Sequence, residues 1–478
     1  PYAQDLDLFG TGSLFELLSA ARTPMGEEVL ANWLRVPSPP DVVRERQSGV
    51  AELRGMLDLR EDLAVLGEEV RSGVHPEALA AWGERRPLLQ SGWAHRAAVL
   101  LTLAAVAAAA VWAVWGVRLP FLLVALAEAG FFLAMRRRVG RVLQEVEGAA
   151  HDLALLSLVL VRLERERFAS PRLTKLRADL DTEGRPPSRR IGRLKRIMEL
   201  VDSRDNLVVR IFGPFLLYSV HLAFALEAWR GKSGPAARRW IMAVAEMEAL
   251  SSLAGYAYEH PADPFPEIVP GGACFEGEGL AHPFLPETRA VRNDVNLGGG
   301  LRVLVVSGSN MSGKSTLLRT VGVNAVLAQA GAPVRAARLR MSALQPAASI
   351  RVTDSLQAGS SRFYAEITRL RQVVDLTAGS LPVLFFLDEF LHGTNSHDRR
   401  IGAEAIVRGL VERGAIGFVT THDLALAHIA EALAPRGANV HFEDRLEDGK
   451  LVFDYRMRPG VVTHSNALEL MRSIGLEV

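Results

Sequence analysis

The sequence predicts a multidomain protein of α + α/β class: a helical core domain carrying an apolar, transmembrane hairpin, then a domain with a mostly parallel sheet. Three observations carry that expectation. Apolar residues recur at helical three- and four-residue spacing through residues 1–95. Residues 97–135 hold two long runs almost free of charge. From about residue 264 short β-rich runs alternate with helical segments, the pattern of a parallel sheet covered by helices. The expected divisions are 1–95, 96–138, 139–262 and 263–478.

The first region opens on SLFELLSAARTPMGEEVLANWLRV, whose helical spacing stops at Pro37 and Pro39–Pro40. A second long helix is expected from Asp41 past Leu66. The run AAVLLTLAAVAAAAVWAVW (97–115) is uncharged over 19 residues. As a helix it is about 29 Å long, which matches a bilayer core of roughly 30 Å. After the turn GVR comes LPFLLVALAEAGFFLAM (119–135), apolar except for Glu128. Arg85, Arg86 and Arg96 precede the pair, and Arg136, Arg137, Arg138 and Arg141 follow it. Positive charge on both flanks predicts a membrane hairpin with both ends in the cytoplasm. A buried hairpin of a soluble core is the alternative, but residues 97–115 lack the polar face such a helix normally shows.

Residues 140–260 return to amphipathic helices, broken by the loop DTEGRPPSRR (181–190). The apolar stretch 207–226 is interrupted by Arg210, Gly213–Pro214 and His221, and is expected to be a core helix. The Pro- and Gly-rich stretch from His260 to Gly279 has the composition of a domain boundary. Composition limits the rest. The formal net charge of +1 neither requires nor excludes nucleic acid. The single cysteine, Cys274, cannot form an internal disulfide and fits a reducing compartment. The chain begins at Pro1 rather than Met, so a preceding segment is expected, and no cleavable signal peptide is visible.

Chemistry is concentrated near the C-terminal end. GSNMSGKS (308–315) fits G-x-x-x-x-G-K-[ST] between a predicted strand, 301–306, and a predicted helix. Glycines let backbone N–H groups close around phosphate oxygens, and the helix N-terminus adds its positive dipole end. The expected ATP-binding residues are Gly308, Ser309, Asn310, Met311, Ser312, Gly313, Lys314, Ser315 and Thr316. Lys314 is expected to reach the β- and γ-phosphates, and Ser315 to ligate Mg²⁺. LFFLDE (384–389) is a buried-strand pattern ending in two acids. Asp388 is expected to share the Mg²⁺ with Ser315, and Glu389 to polarise the attacking water as general base. In THD (421–423), His422 could contact the γ-phosphate or that water, or stand aside while Thr421 or Asp423 caps the turn.

The order SGSNMSGKSTLLR (307–319), DSLQAGSSRFYAEI (354–367), LDEFLHGTNSHD (387–398) and TTHD (420–423) resembles the ATPase domain of the MutS family of DNA mismatch-repair proteins. That resemblance implies a P-loop NTPase fold and a homodimer with composite sites. It also implies that Ser361, followed by Phe363 and Glu366, reaches the partner subunit's nucleotide. Ser361 could equally be a helix N-cap. Arg362 stands where the family usually has Thr, and Ala290 where it often has an adenine-stacking aromatic. GTNSHD (393–398) is similar to the family's interface-signalling loop, and RPGVVTHSNALELMRSIGL (458–476) to its closing strand and helix. The stretches 21–37 and 44–47 resemble the family's helical core more weakly. A mismatch-reading domain with Phe-x-Glu is missing, and the apolar hairpin stands where the family carries DNA-clamp helices.

The expected function is therefore an ATP-hydrolysing, MutS-like ATPase using ATP and Mg²⁺, dimeric, with its ATPase domain in the cytoplasm and residues 97–135 in the inner or plasma membrane. DNA binding and mismatch repair follow from the resemblance alone. Two alternatives remain open: a nucleotide-gated, membrane-tethered scaffold without a DNA role, and an ABC-type ATPase. The latter would need Leu-Ser-Gly-Gly-Gln where Gln357–Ser361 stands.

Overall fold

The computed structural model describes residues 2–89, 92–309, 311–350, 362–391, 394–447 and 450–462. The chain forms two compact units, one of residues 1–19, 30–55 and 250–478, the other of residues 20–29 and 56–249.

Among the described residues the first unit holds ten strands: β1 (Glu267–Val269), β2 (Cys274–Leu280), β3 (Asn293–Gly298), β4 (Val303–Ser307), β5 (Arg338–Ser342), β6 (Gln345–Ser349), β7 (Val383–Asp388), β8 (Ile416–Thr421), β9 (Gly437–Glu447) and β10 (Lys450–Pro459). The main sheet has the order β10-β9-β4-β8-β7-β6, and a second sheet the order β1-β5-β2-β3. In the main sheet β9–β4–β8–β7–β6 pair in parallel, and only β10 runs antiparallel, against β9. The expected mostly parallel sheet is present. Its central strands VLVVS, VLFFLD and IGFVTT are buried almost throughout, as strands covered on both faces must be. Close packing leaves no room at Gly417, where a Cβ would lie 2.1 Å from the Phe385 carbonyl oxygen. Val303, Phe385, Leu387, Val407 and Val419 belong to one continuous apolar core beneath the helix Ser396–Glu412.

The helix Lys314–Ala330 is buried along nearly its whole length. Gly331 ends it at φ +95°, and an added Cβ there would sit 2.6 Å from Arg46 Cβ. N-terminal residues share this unit. Asp5, almost fully buried, accepts from the Ile350 amide at 3.1 Å and pairs with Arg369 at 3.3 Å, while Asp7 pairs with Arg319 at 3.2 Å. The second long helix expected from Asp41 is two helices, Pro40–Arg54 and Leu57–Gly73. Gly55 and Met56 interrupt them because glycine favours helix ends over interiors.

The second unit is helical. Leu119–Arg165 is one unbroken helix of 47 residues, about 70 Å long. Its later part buries Val139, Val142, Val146, Leu153, Leu156 and Leu160, a helical stripe facing a core. Its first part, with the helix Gly92–Trp115, is long and apolar enough to cross a membrane. Only 17% of the most apolar stretch of Gly92–Trp115, and 11% of that of Leu119–Arg165, is buried. The buried residues of Gly92–Trp115 are all small, Ala94, Ala98, Ala105 and Ala108, and Trp112 meets Phe121 of the second helix at 5.3 Å. Leucines point away: Leu100, Leu103 and Leu126 are 66%, 61% and 72% exposed.

The core helix expected over 207–226 requires correction. Leu207–Phe212 is a short helix, Pro214–Leu216 a 3₁₀ turn, and Leu217 adopts φ 46° before the helix Tyr218–Ser233. Pro214 lacks the N–H that a continuous helix needs, and a Cβ on Gly213 would lie 2.3 Å from the Val209 carbonyl. Ile211 and Phe212 stand exposed, and only Leu217 onward joins the core.

Candidate functional site

The site is built at the C-terminal edge of the main sheet, where β4, β7 and β8 end in register: Ser307 opposite Thr421, Asp388 opposite Thr420. Open parallel sheets place ligands at that edge. After β4 the chain turns through Gly308 and Met311 (φ 70°) to Gly313 (φ +105°), a conformation glycine adopts freely, and enters the helix at Lys314. A strand, a glycine-rich loop and a helix thus stand in the expected order.

Lys314 is 5% exposed, and its Nζ donates to the carbonyl oxygens of Gly308 at 2.8 Å and Ser309 at 2.9 Å. It also lies 3.3 Å from Glu389 Oε1. Ser315 Oγ donates to Asp388 Oδ2 at 2.6 Å, and the Thr420 hydroxyl donates to Asp388 Oδ1. The Thr420 hydroxyl in turn accepts from the Glu389 amide at 3.0 Å, which fixes the backbone of the acidic pair. Glu389 takes φ 43° and Leu391 φ 59°, so the chain kinks sharply as it leaves β7. The buried Glu366 supports that kink by accepting from the Leu391 amide at 2.5 Å.

His422 Nδ1 lies 3.3 Å from Glu389 Oε1. Of the two readings of THD the turn cap is present, Thr421 Oγ1 accepting from the Asp423 amide at 2.8 Å, and His422 faces Glu389. Burial pushes the Glu389 carboxyl up, but Lys314 and His422 more than offset it and hold it below the ordinary carboxylate range.

Of the expected residues, Gly308, Ser309, Met311, Ser312, Gly313, Lys314, Ser315, Thr316, Asp388, Glu389 and His422 cluster around these strand ends. Asn310 and Ser361 lie outside the described residues, as does the tail from 463. In the loop read as signalling, Asn395 caps the helix Ser396–Glu412 by accepting from the Asp398 amide at 2.9 Å.

A cavity of ≈ 770 Å³ opens beside Lys314, and several of its walls were missed in the sequence. Tyr455 is the clearest case. The β9–β10 register shifts between Phe453 and Met457, a bulge that puts Tyr455 at φ 55°. Its ring then lies 3.2 Å from where a Cβ on Gly313 would be. Asn293 holds the bulge, donating to the Tyr455 carbonyl at 3.0 Å and accepting from the Met457 amide at 2.7 Å. Tyr455 thus gives the cavity an aromatic wall from β10. No motif could have flagged it, because only the bulge turns Tyr455 inward. His282 lines the same cavity. Burial, with Arg319 nearby, lowers its pKa to about 4, so it is neutral at pH 7.

Fold and site together define an α/β domain with a lysine-bearing glycine loop and an acidic strand end at one edge of a parallel sheet. Comparison with known proteins is more specific. The family model described as MutS domain V matches residues 304–477, so this domain is similar to that of the MutS family. It is 34% identical over 238 residues to the DNA mismatch repair protein MutS 2 of Halobacterium salinarum, a match covering 49% of this chain and 27% of that protein. It is 34% identical over 204 residues to Endonuclease MutS2 of Thermomicrobium roseum, covering 41% and 24% respectively. Over 258 residues it is 29% identical to the DNA mismatch repair protein MSH6 of Arabidopsis thaliana, covering 50% of this chain and 19% of that one. The matched part is between about a fifth and a quarter of the length of these curated relatives.

Proposed function

We propose that the chain binds ATP and hydrolyses it with Mg²⁺, on a P-loop NTPase domain that pairs with a second copy of itself. The observation that carries this reading is the convergence of Lys314, Ser315, Asp388, Glu389 and His422 on one strand edge within hydrogen-bond or ion-pair distance of one another. The backbone amides of the glycine loop and the Lys314 ammonium bind the phosphates. Ser315 Oγ and Asp388 form a small oxygen set, which suits an ion that keeps most of its waters. A bound Mg²⁺ neutralises phosphate charge. Glu389, held ionised, accepts the proton of the attacking water, and His422 orients its carboxylate. The Tyr455 ring offers a face for the base.

The domain's family supports the dimer, in which Ser361 reaches the partner's nucleotide, and the relatives' names support contact with DNA in mismatch repair. The exposed apolar hairpin supports anchoring of residues 97–135 in the inner or plasma membrane, with the ATPase domain in the cytoplasm.

Turnover and binding by two variants test the core of this reading. Lys314→Ala is expected to abolish tight ATP binding, because the phosphates lose the loop's cation. Glu389→Gln is expected to bind ATP and accumulate as a dimer while hydrolysis falls by at least a hundredfold, the lower range for a lost general base. Undiminished hydrolysis by Glu389→Gln removes Glu389 as the base.

A further inference from the structure

The helical unit contains a second charged cavity, of ≈ 490 Å³, where the helix Pro187–Asp202 begins. Arg185, Arg189, Arg190, Arg193 and Lys232 line it, with Glu183 the carboxylate in its wall. That carboxylate is already engaged. Arg190, 8% exposed, holds it at 3.0 Å and donates to Ser233 Oγ at 3.2 Å. Its buried Nε has no partner. Among the described residues, Arg185, Arg189, Arg193 and Lys232 form no side-chain hydrogen bond or ion pair. Arg189 and Arg193 sit one helical turn apart on one face. A cleft lined by one sign of charge concentrates the opposite ion.

We propose that this cavity binds a small, multiply charged phosphate ligand of nucleotide size, at a site separate from Lys314. Its volume falls within the range of small-molecule pockets. Guanidinium forks match phosphate oxygens two at a time, and four unpaired cations suit a ligand of several negative charges better than a single carboxylate. A lipid headgroup is disfavoured by position. The far end of the same helix, at Ser203, meets Tyr218 at 3.1 Å beside the exposed apolar turn 207–216. The lining residues Arg189 and Arg193 therefore stand roughly 15–21 Å along the helix from that apolar surface.

Inorganic tripolyphosphate serves as the probe, titrated calorimetrically into the full detergent-solubilised chain without Mg²⁺. The Lys314→Ala chain is used so that the loop site does not contribute. One tripolyphosphate site is expected to remain, with affinity falling linearly against log salt. Adding Arg189→Gln, Arg193→Gln and Lys232→Gln is expected to weaken that site at least tenfold. Arg185→Gln with Arg193→Gln, a smaller change, is expected to weaken it less. These side chains are unpaired, so an unchanged melting temperature accompanies the loss. No tripolyphosphate binding in the Lys314→Ala chain overturns the proposal, as does equal binding with and without the arginine and lysine changes. Duplex DNA held by these same cations but not displaced by tripolyphosphate also overturns it, and assigns the patch to nucleic acid.

Discussion

Residues 383–387 of strand β7 and residues 97–115 of the helix Gly92–Trp115 are both uncharged apolar runs, yet they end in opposite surroundings. Val383 to Leu387 are 0–1% exposed, sealed between helices on both faces of the sheet. Leu100, Leu103 and Val114 in the helix are 61–71% exposed, while its buried residues are alanines. The strand hides its side chains and carries its acidic pair out at its end. The helix hides its smallest residues and presents its largest. Isolated exposed leucines are ordinary, but a contiguous apolar surface of this length needs covering. Hydrophobicity alone does not say which cover a run has. The side on which small and large residues fall does.

Membrane retention is the largest effect by which that contrast can be broken. Cells expressing the full chain, fractionated and washed with alkaline carbonate, are expected to keep it in the membrane pellet, and deletion of 97–135 to release it. Release of the intact chain would leave the exposed helices to be covered by protein.

Paired truncations sharpen the contrast. Phe385→Ala, at a residue with 0% exposure, is expected to cost about 3–5 kcal/mol of denaturant stability. Phe132→Ala, 41% exposed on the hairpin, is expected to change stability in detergent by under about 0.5 kcal/mol. Equal costs would mean that the hairpin is packed as a core.

A smaller effect comes from His282, whose pKa is depressed to about 4 by burial. The unfolded chain, with an ordinary imidazole near 6.5, binds the proton first as pH falls. Stability of the sheet unit is therefore present above about pH 6.5 and is lost progressively toward pH 4, by about 2 kcal/mol between pH 7 and pH 5. His282→Gln is expected to flatten that slope, measured by denaturant unfolding at the two pH values.

Much of the site was legible because its chemistry is local. The glycine loop, Lys314, Ser315 and the acidic pair are each fixed by a few consecutive residues with their own strand or helix. What was not legible depends on long-range pairing. Tyr455 enters through a bulge whose position is set by β9, and Glu366 finds the Leu391 amide only after the sheet forms. In the stretch 207–226 the proline was visible, but the left-handed Leu217 after it and the exposure of the residues before it are not registered by average hydrophobicity. The sharing of one compact unit by residues 1–19 and the sheet likewise rests on Asp5 and Asp7, two acids without a motif.

The smallest expected effect concerns DNA, and it runs against the family's association with mismatch repair. Reading a mismatch through a wedge requires unstacking a base step, which costs a few kcal/mol and must be offset by added contact. The sequence resembles no mismatch-reading domain, its Phe265-Pro266-Glu267 leading into strand β1 of the sheet unit, and an apolar hairpin stands where the family has clamp helices. Duplex affinity here is therefore expected to come from phosphate contacts, which are blind to sequence and fall steeply with salt. A mismatched and a fully paired duplex are predicted to bind about equally in a competition titration at near-physiological salt, with and without ATP. A tenfold preference for the mismatch, about 1.4 kcal/mol, would sink this expectation. It would also mean that recognition comes from an element other than a wedge domain.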